Sequence, residues 1–216
     1  GGNAVLMAAR AVVKKLLPIA AKELKCRAGE LDVALGKIFV KKNPKKSMEW
    51  AEAARRSFNA AGPLVGTGWY KPPKNLGGDY KGAAVGTSPA YSFGSAVCEV
   101  SVDLRTGKVK VEKFTDYHDC GTPINPMAVH GQVEGAIVMS ASETVMEDMV
   151  YDDKGNLTNP TFHDYLMMTI KDAPEIFSGL VDSYEPEGPY GAKEIGEGCT
   201  SPVLGAVAHA IANATG

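Results

Sequence analysis

The sequence lacks the cysteine spacings that hold zinc ribbons or iron–sulfur clusters. It has four cysteines, which form no C-x-x-C pair: Cys26, Cys98, Cys120 and Cys199. We therefore expect no metal site built from protein side chains within these 216 residues. Isolated cysteines of this kind are typical of buried, reduced thiols, and they favour a cytoplasmic location.

Long apolar runs and an excess of charge of one sign are also missing. No stretch reaches the length needed to cross a bilayer, and no signal peptide is visible. The 23 Lys and Arg residues nearly balance 25 Asp and Glu, for a formal net charge of -2. This balance argues against nucleic acid or a membrane surface as the main partner. Because the chain starts without methionine and stops just past a predicted helix, we expect a segment of a longer protein.

The pattern of the first third indicates helices around a small sheet. Apolar residues at helical spacing predict one helix capped by Asn3 and kinked or ended at Pro18, and a second one behind a cap at Ser47. Alternating residues at 31–40 between them predict a strand pair or an edge strand. Glycine and proline are frequent at 62–88, which we expect to form a long irregular loop.

The remaining two thirds predict strands and helices in alternation. The clearest signal is a hairpin that pairs residues 96–104 with 108–117 through a turn at Gly107. Further predicted elements are a helix at 127–146, a hairpin at 147–156, a strand at 180–184 and a buried helix at 202–214 with a core histidine, His209. Together these elements predict an α+β fold of mixed sheets and long helices. We place a soft boundary between a lobe of residues 1–75 and a lobe of residues 76–216, which can also form one domain.

The most unusual stretch is residues 188–202. It holds four glycines, two prolines and three charged residues, and it runs directly into the last predicted helix. Glycine permits close approach of main chain to a ligand, while Ser201 can cap the helix. Glu194 or Glu197, held on such a loop, can act as a general base. A surface connection with solvated charges explains the pattern equally well.

Two further patterns carry weaker signals for chemistry. His118, Asp119 and Cys120 end a predicted strand, where His118 and Cys120 share one face and Asp119 points away. Adjacency therefore does not establish a Cys–His catalytic pair, and we favour a structural role for all three. Gly131 and Gly135 lie inside a predicted helix, where each costs about 1 kcal/mol relative to alanine. Glycine there indicates close packing or close approach of a ligand.

Four ordered motifs resemble those of the molybdenum-binding large subunit of the xanthine oxidase family, in its C-terminal part. They are DCG at 119–121 with NP at 125–126, GQVEG at 131–135, NP at 159–160 with DY at 164–165, and GAKEIGE at 191–197. The hairpin at 96–117 and the segment 2–5 also resemble family features, so the resemblance covers essentially the whole chain. The variant at 188–194 is most similar to 4-hydroxybenzoyl-CoA reductase, in its alpha subunit.

The resemblance implies a molybdenum–molybdopterin cofactor shared with the missing part of the subunit, with no protein side chain on the metal. Glu197 matches the family's general base, and a carboxylate in a closed, partly dry site becomes a better base. Gln132, with Gly131 beside it, matches the family's cofactor-binding motif. The implied reaction is hydroxylation of an aromatic, heterocyclic or aldehyde substrate, or the reverse dehydroxylation. Iron–sulfur clusters and FAD are expected on other domains or subunits of an oligomeric complex.

Two alternatives come from other functional classes. The chain can be a non-catalytic assembly or scaffold domain whose glycine loop packs against a partner. Nucleotide binding is the weaker alternative, because no G-x-G-x-x-G follows a clear strand and Lys193 is not in a P-loop pattern.

Overall fold

The computed structural model describes residues 1–71, 73–74, 78–80, 83–85 and 88–216. It divides into two compact units, Gly1–Leu76 and Gly77–Gly216. Both units combine helices with small sheets, so the predicted α+β class is confirmed. None of the helices in the described ranges is long and apolar enough to cross a membrane.

The first unit packs two helices on a three-stranded antiparallel sheet. Its strands are β1 (Leu31–Ala34), β2 (Lys37–Val40) and β3 (Asn43–Glu49), in the order β1-β2-β3. The helices are α1 (Gly2–Glu23) and α2 (Trp50–Ala61). The fully buried side chains Leu16, Ala20, Ile38 and Ala53 form the centre of its core.

Two capping predictions for this unit are wrong. Asn3 lies inside α1 rather than capping it. Pro18 does not end α1, which continues to Glu23. Leu16 and Ala20 are both fully buried, so apolar packing on either side of the proline offsets its cost. Ser47 lies in β3, because the following residue, Met48, pairs with β2 and fills the core. The predicted strand pair at 31–40 is confirmed.

The second unit is built on the predicted hairpin. Its strands are β6 (Phe93–Val102) and β7 (Val109–Asp119), which pair antiparallel, and β8 (Glu175–Leu180), which lies parallel to β7. Before them, β4 (Gly78–Tyr80) and β5 (Ala83–Val85) form a separate two-stranded sheet. They interrupt the predicted loop at 62–88, where residues 72, 75–77, 81–82 and 86–87 lie outside the described part.

Two helices cover this three-stranded sheet. They are α3 (Pro126–Val145), which makes the crossover from β7 to β8, and α4 (Ser201–Thr215). A parallel pair needs such a crossover, because the chain must return to the edge from which it started. The core between sheet and helices includes Phe114, Val133, Ile137, Val203 and Val207, all fully buried.

The chain direction explains where the notable motifs meet. Because β7 and β8 are parallel, their carboxyl ends lie at one edge of the sheet, where His118 pairs with Leu180. The DCG turn, residues 119–121, begins at the last residue of β7 at this edge. The glycine-rich loop, residues 188–200, follows β8. Ligands of open α/β sheets bind beyond this same edge.

Several boundaries in the second unit differ from prediction. The hairpin at 147–156 is only a single bridge between Tyr151 and Leu157, since Asp152 folds the segment into a tight turn through bonds to Lys154 and Asn156. The strand predicted at 180–184 instead occupies Glu175–Leu180, where it pairs with β7.

The last two helices differ in what they bury. Within the described chain α4 buries only Val203 and Val207, while His209 is exposed and is not a core histidine. Ser201 is the first residue of α4 and caps nothing, because a 3-10 turn leads straight into the helix. On α3, the apolar side chain of Met139 is exposed.

Candidate functional site

The glycine-rich loop is attached to the end of β7 by main-chain contacts. Ala192 pairs with Gly121 in a short bridge, and the Lys193 N–H donates to the Cys120 carbonyl at 2.7 Å. Gly121 has φ of 66°, and a Cβ there would collide with the carbonyl of Gly191. The DCG turn thus needs its glycine, because only hydrogen fits between the two backbones.

Glu197 lies on this loop with a fixed main chain and an exposed side chain. Its N–H donates to Oε2 of Glu194 at 3.3 Å, and its carbonyl accepts from the Thr200 hydroxyl at 2.7 Å. Its carboxylate has no hydrogen bond or ion pair with any other described residue. The loop therefore fixes the main chain of Glu197 and leaves its side chain exposed.

Gln132 brings the cofactor motif and the loop together. The side chain projects from α3, whose start is capped by Asn125 through a bond from the Ala128 N–H at 3.2 Å. Gln132 Nε2 donates to the carbonyl of Gly196 at 2.9 Å, one residue before Glu197. The two motifs, which are 60 residues apart in sequence, meet directly.

A cavity of about 300 Å³ lies beside this contact. It is bounded by the DCG turn, the first turns of α3 and the loop, and its lining is mainly apolar. The lining residues are Cys120, Thr122, Pro123, Ile124, Asn125, Ala128, Val129, Gln132, Ala192, Lys193 and Ile195. A few polar side chains on an apolar wall are typical of a small-molecule site.

Gly131 lines a different cavity, on another side of α3. That cavity of about 560 Å³ also contains Glu134, Gly135 and Met167. A Cβ built at Gly131 or at Gly135 has no described atom within 4 Å. Packing within this part of the chain therefore does not explain why α3 carries these glycines, and it leaves room for a group outside the chain to approach.

A buried ion pair beneath the loop was missed by sequence reasoning. Lys193 Nζ lies 2.6 Å from Oδ2 of Asp119, and the two side chains are only 7% and 14% exposed. Burial alone would raise the pKa of Asp119, but the bonds from Lys193 and Ser183 outweigh it and lower that pKa to about 2. The sequence signal was the position of both residues inside the two motifs that meet here.

The other groups at the end of β7 are structural in their geometry. His118 is fully buried, and its ring has no hydrogen-bond partner among the described residues, Cys120 included. Burial raises the pKa of the thiols of Cys120 and Cys199, which disfavours a reactive thiolate. Within the described residues, no group of three or more His, Cys, Asp or Glu side chains is placed to hold a metal ion.

A comparison with protein families gives one match over most of the chain. Residues 1–174 match the model of the molybdopterin cofactor-binding domain. This range contains Gly131 and Gln132, whereas Glu197 lies beyond its end.

Two curated relatives align with nearly the full chain. The chain is 31% identical over 211 residues to the carbon monoxide dehydrogenase large chain of Afipia carboxidovorans. That alignment covers 95% of this chain and 24% of the relative. The chain is 33% identical over 220 residues to the probable hypoxanthine oxidase XdhD of Escherichia coli. That alignment covers 100% of this chain and 21% of the relative.

Solved structures share the fold. A reconstituted CO dehydrogenase from Oligotropha carboxidovorans superposes with a TM-score of 0.74 at 29% identity, over 96% of this chain and 25% of that one. The chain thus spans about a quarter of the length of the relatives it matches.

Proposed function

Since the chain belongs to the molybdopterin cofactor-binding domain family of the xanthine oxidase-type large subunits, we propose that it supplies the catalytic base of a molybdenum hydroxylase. Glu197 is that base. Gln132 and Gly131 lie against the cofactor, which the rest of the subunit also contacts. The reaction is the hydroxylation of an aromatic, heterocyclic or aldehyde substrate.

The observation that carries this proposal is the bond from Gln132 to the Gly196 carbonyl. It places the side chain that matches the cofactor motif one residue from the exposed carboxylate of Glu197. A general base must lie within hydrogen-bond reach of the proton that it takes, and a fixed main chain limits where its side chain can move. The second requirement agrees with the hydrogen bonds made by the N–H and the carbonyl of Glu197.

The residues present also fit a large cofactor. Gln132 Oε1 stays available because Nε2 makes the bond to the loop. The space over Gly131 and Gly135 lets a planar group approach the backbone of α3. When bound, the molybdenum cofactor supplies two-electron redox chemistry, while Glu197 accepts the proton from the nucleophile.

The same residues serve either direction of the reaction. In reductive dehydroxylation, as in 4-hydroxybenzoyl-CoA reductase, the glutamate returns a proton instead of taking one. The two relatives are named for different substrates, since one is a carbon monoxide dehydrogenase and the other a probable hypoxanthine oxidase. We therefore propose the reaction type without choosing one substrate. Iron–sulfur clusters and FAD on other domains or subunits are proposed to carry the electrons.

Replacing Glu197 tests this proposal in the complete enzyme. Glu197→Gln keeps the size of the side chain but cannot accept a proton. We expect turnover per bound molybdenum to fall by roughly two orders of magnitude or more while molybdenum content stays near normal. The measurement is steady-state turnover divided by metal content.

Glu194→Gln is the matched control. It lies on the same loop, and the amide oxygen of glutamine can still accept from the Glu197 N–H. We expect its turnover to stay within a few-fold of the wild type. Near-normal turnover per molybdenum in Glu197→Gln would show that the base is elsewhere.

A second measurement separates the enzyme from the scaffold alternative. A non-catalytic assembly domain would keep the complex together, but the molybdenum content would not depend on residues 131–135. Loss of molybdenum on disrupting this segment supports cofactor binding, whereas unchanged molybdenum supports the scaffold.

A further inference from the structure

Both members of the ion pair between Asp119 and Lys193 make further hydrogen bonds. Besides Asp119, the Lys193 ammonium donates to the carbonyl of Tyr91 at 2.8 Å. Asp119 Oδ1 accepts from the Gly121 N–H at 3.0 Å and from the Ser183 hydroxyl. Burying two charges is costly, and these additional hydrogen bonds offset part of that cost.

The pair connects several segments that are far apart in sequence. Asp119 ends β7, Tyr91 precedes β6, and Ser183 follows β8. Lys193 belongs to the glycine-rich loop, four residues before Glu197. The Ser92 hydroxyl adds a bond to the Glu194 carbonyl at 3.2 Å, so the contacts continue toward Glu197.

A buried pair of this kind adds little net stability. A well-packed apolar pair of similar volume stabilises a fold as well or better, because it avoids the desolvation of two charges. The pair instead ties the loop to neighbouring segments, because its hydrogen bonds reach Tyr91, Gly121 and Ser183. The other ion pairs of the described chain are exposed on at least one side, for example Lys110 with Glu112 at 60% and 42%.

We propose that Asp119 and Lys193 are positioning residues, which clamp the glycine-rich loop to the end of β7 so that Glu197 is held where it can take its proton. This inference rests on the proposed role of Glu197, but the clamp itself can be measured without turnover. Neither side chain touches the reacting atoms in this role. The pair acts through the main chain of residues 193–197.

The test uses the intact enzyme with four variants. Asp119→Asn keeps the size and the bonds to Gly121 and Ser183 but removes the charge. Lys193→Met removes the other charge, and the double variant leaves no unpaired buried charge. Lys110→Met, which breaks an exposed pair on the same strand, is the control. The readouts are amide hydrogen exchange of the peptide 191–200, the melting temperature, and turnover per bound molybdenum.

We expect each single variant to raise the amide exchange rate of the peptide 191–200 at least about tenfold relative to the wild type. Peptides from β7 and α3 should not show this increase. Turnover per molybdenum should fall at least about tenfold, with kcat affected more than KM, because binding groups remain. The double variant should recover melting temperature but neither loop protection nor turnover. Lys110→Met should change none of these.

Two results would overturn the clamp. The first is that amide exchange of the peptide 191–200 stays unchanged in both single variants. The second is that the double variant regains wild-type exchange and wild-type turnover, because the pair would then contribute only to stability. Failure of the proposed function looks different: Glu197→Gln would keep its turnover while the clamp variants still loosen the loop.

Discussion

Asp116 and His118 share a buried face of β7, and neither has a hydrogen-bond partner among the described residues. Burial raises the pKa of Asp116 from 3.8 to about 6. Burial also lowers the pKa of His118, against the opposing effects of Glu194 and Asp119. Both side chains are therefore held toward their neutral forms, as expected for ionisable groups away from water.

The two groups change stability in opposite directions with pH. The folded Asp116 holds its proton more tightly than the unfolded chain does, so its contribution is complete below pH 3.8 and is lost as the pH rises through about 6. The contribution of neutral His118 is present above pH 6.5 and is lost as the pH falls through its lowered pKa.

Asp116→Asn should make this chain more stable at neutral pH. Asparagine resembles the protonated acid but cannot ionise, so the cost of a buried carboxylate disappears. We expect a gain on the order of 2 to 3 kcal/mol at pH 7 that vanishes near pH 4. Denaturant unfolding at several pH values measures it.

The exposed Asp153→Asn is the control for that series, and it should change the free energy of unfolding by less than about 0.5 kcal/mol. If Asp116→Asn lowered the free energy of unfolding by the same amount at every pH, the expected cost of a buried Asp116 carboxylate at neutral pH would be contradicted.

At the scale of the elements, α3 joins the two halves of the site. It begins at the carboxyl end of β7 and presents Gln132 to the loop, while Gly131 and Gly135 face a separate cavity. Glycine inside a helix lowers stability, and nothing described within this chain occupies the space above it. Such a cost is typical of a position kept for function.

Gly131→Ala should therefore have opposite effects in two settings. In this chain the added methyl group meets open space, and we expect stability to rise by about 1 kcal/mol in denaturant unfolding. In the complete subunit, the molybdenum content should fall if the cofactor approaches this backbone. An unchanged molybdenum content would place the cofactor elsewhere.

Gly179→Ala provides the contrast for that pair of measurements. A methyl group there would collide with the ring of Tyr117, so this variant should be destabilised in both settings.

At the scale of the whole molecule, this chain spans about a quarter of the length of its relatives. The cavity beside Gln132 has a volume of about 300 Å³, and its lining is mainly apolar with few polar side chains. A cofactor with a pterin and a phosphate needs contacts from several loops.

We predict that the isolated chain does not bind molybdenum cofactor tightly. The measurement is the molybdenum content after incubation with the cofactor and gel filtration, with the complete subunit as the positive control. Stoichiometric molybdenum on the isolated chain would contradict this prediction.

Much of the second unit follows from local pattern. Alternating residues from Ala96 onward and the glycine turn at Gly107 predict the hairpin, because side chains on a half-buried strand must alternate. Apolar spacing predicts α3 within one residue at each end. The α+β class and the family follow from the order of such elements and motifs. In contrast, Ser47 and Ser201 could not be placed, since capping propensity is overridden when neighbouring residues pair or pack.

The sequence by itself thus determined the family, the main hairpin, the helix α3 and the motifs that carry the resemblance. Only the tertiary structure decided which atoms of those motifs meet. The bond from Gln132 to Gly196 and the ion pair of Lys193 with Asp119 join residues 64 and 74 positions apart. No local pattern encodes such contacts, because they arise when the parallel pairing of β7 with β8 brings both carboxyl ends to one edge of the sheet.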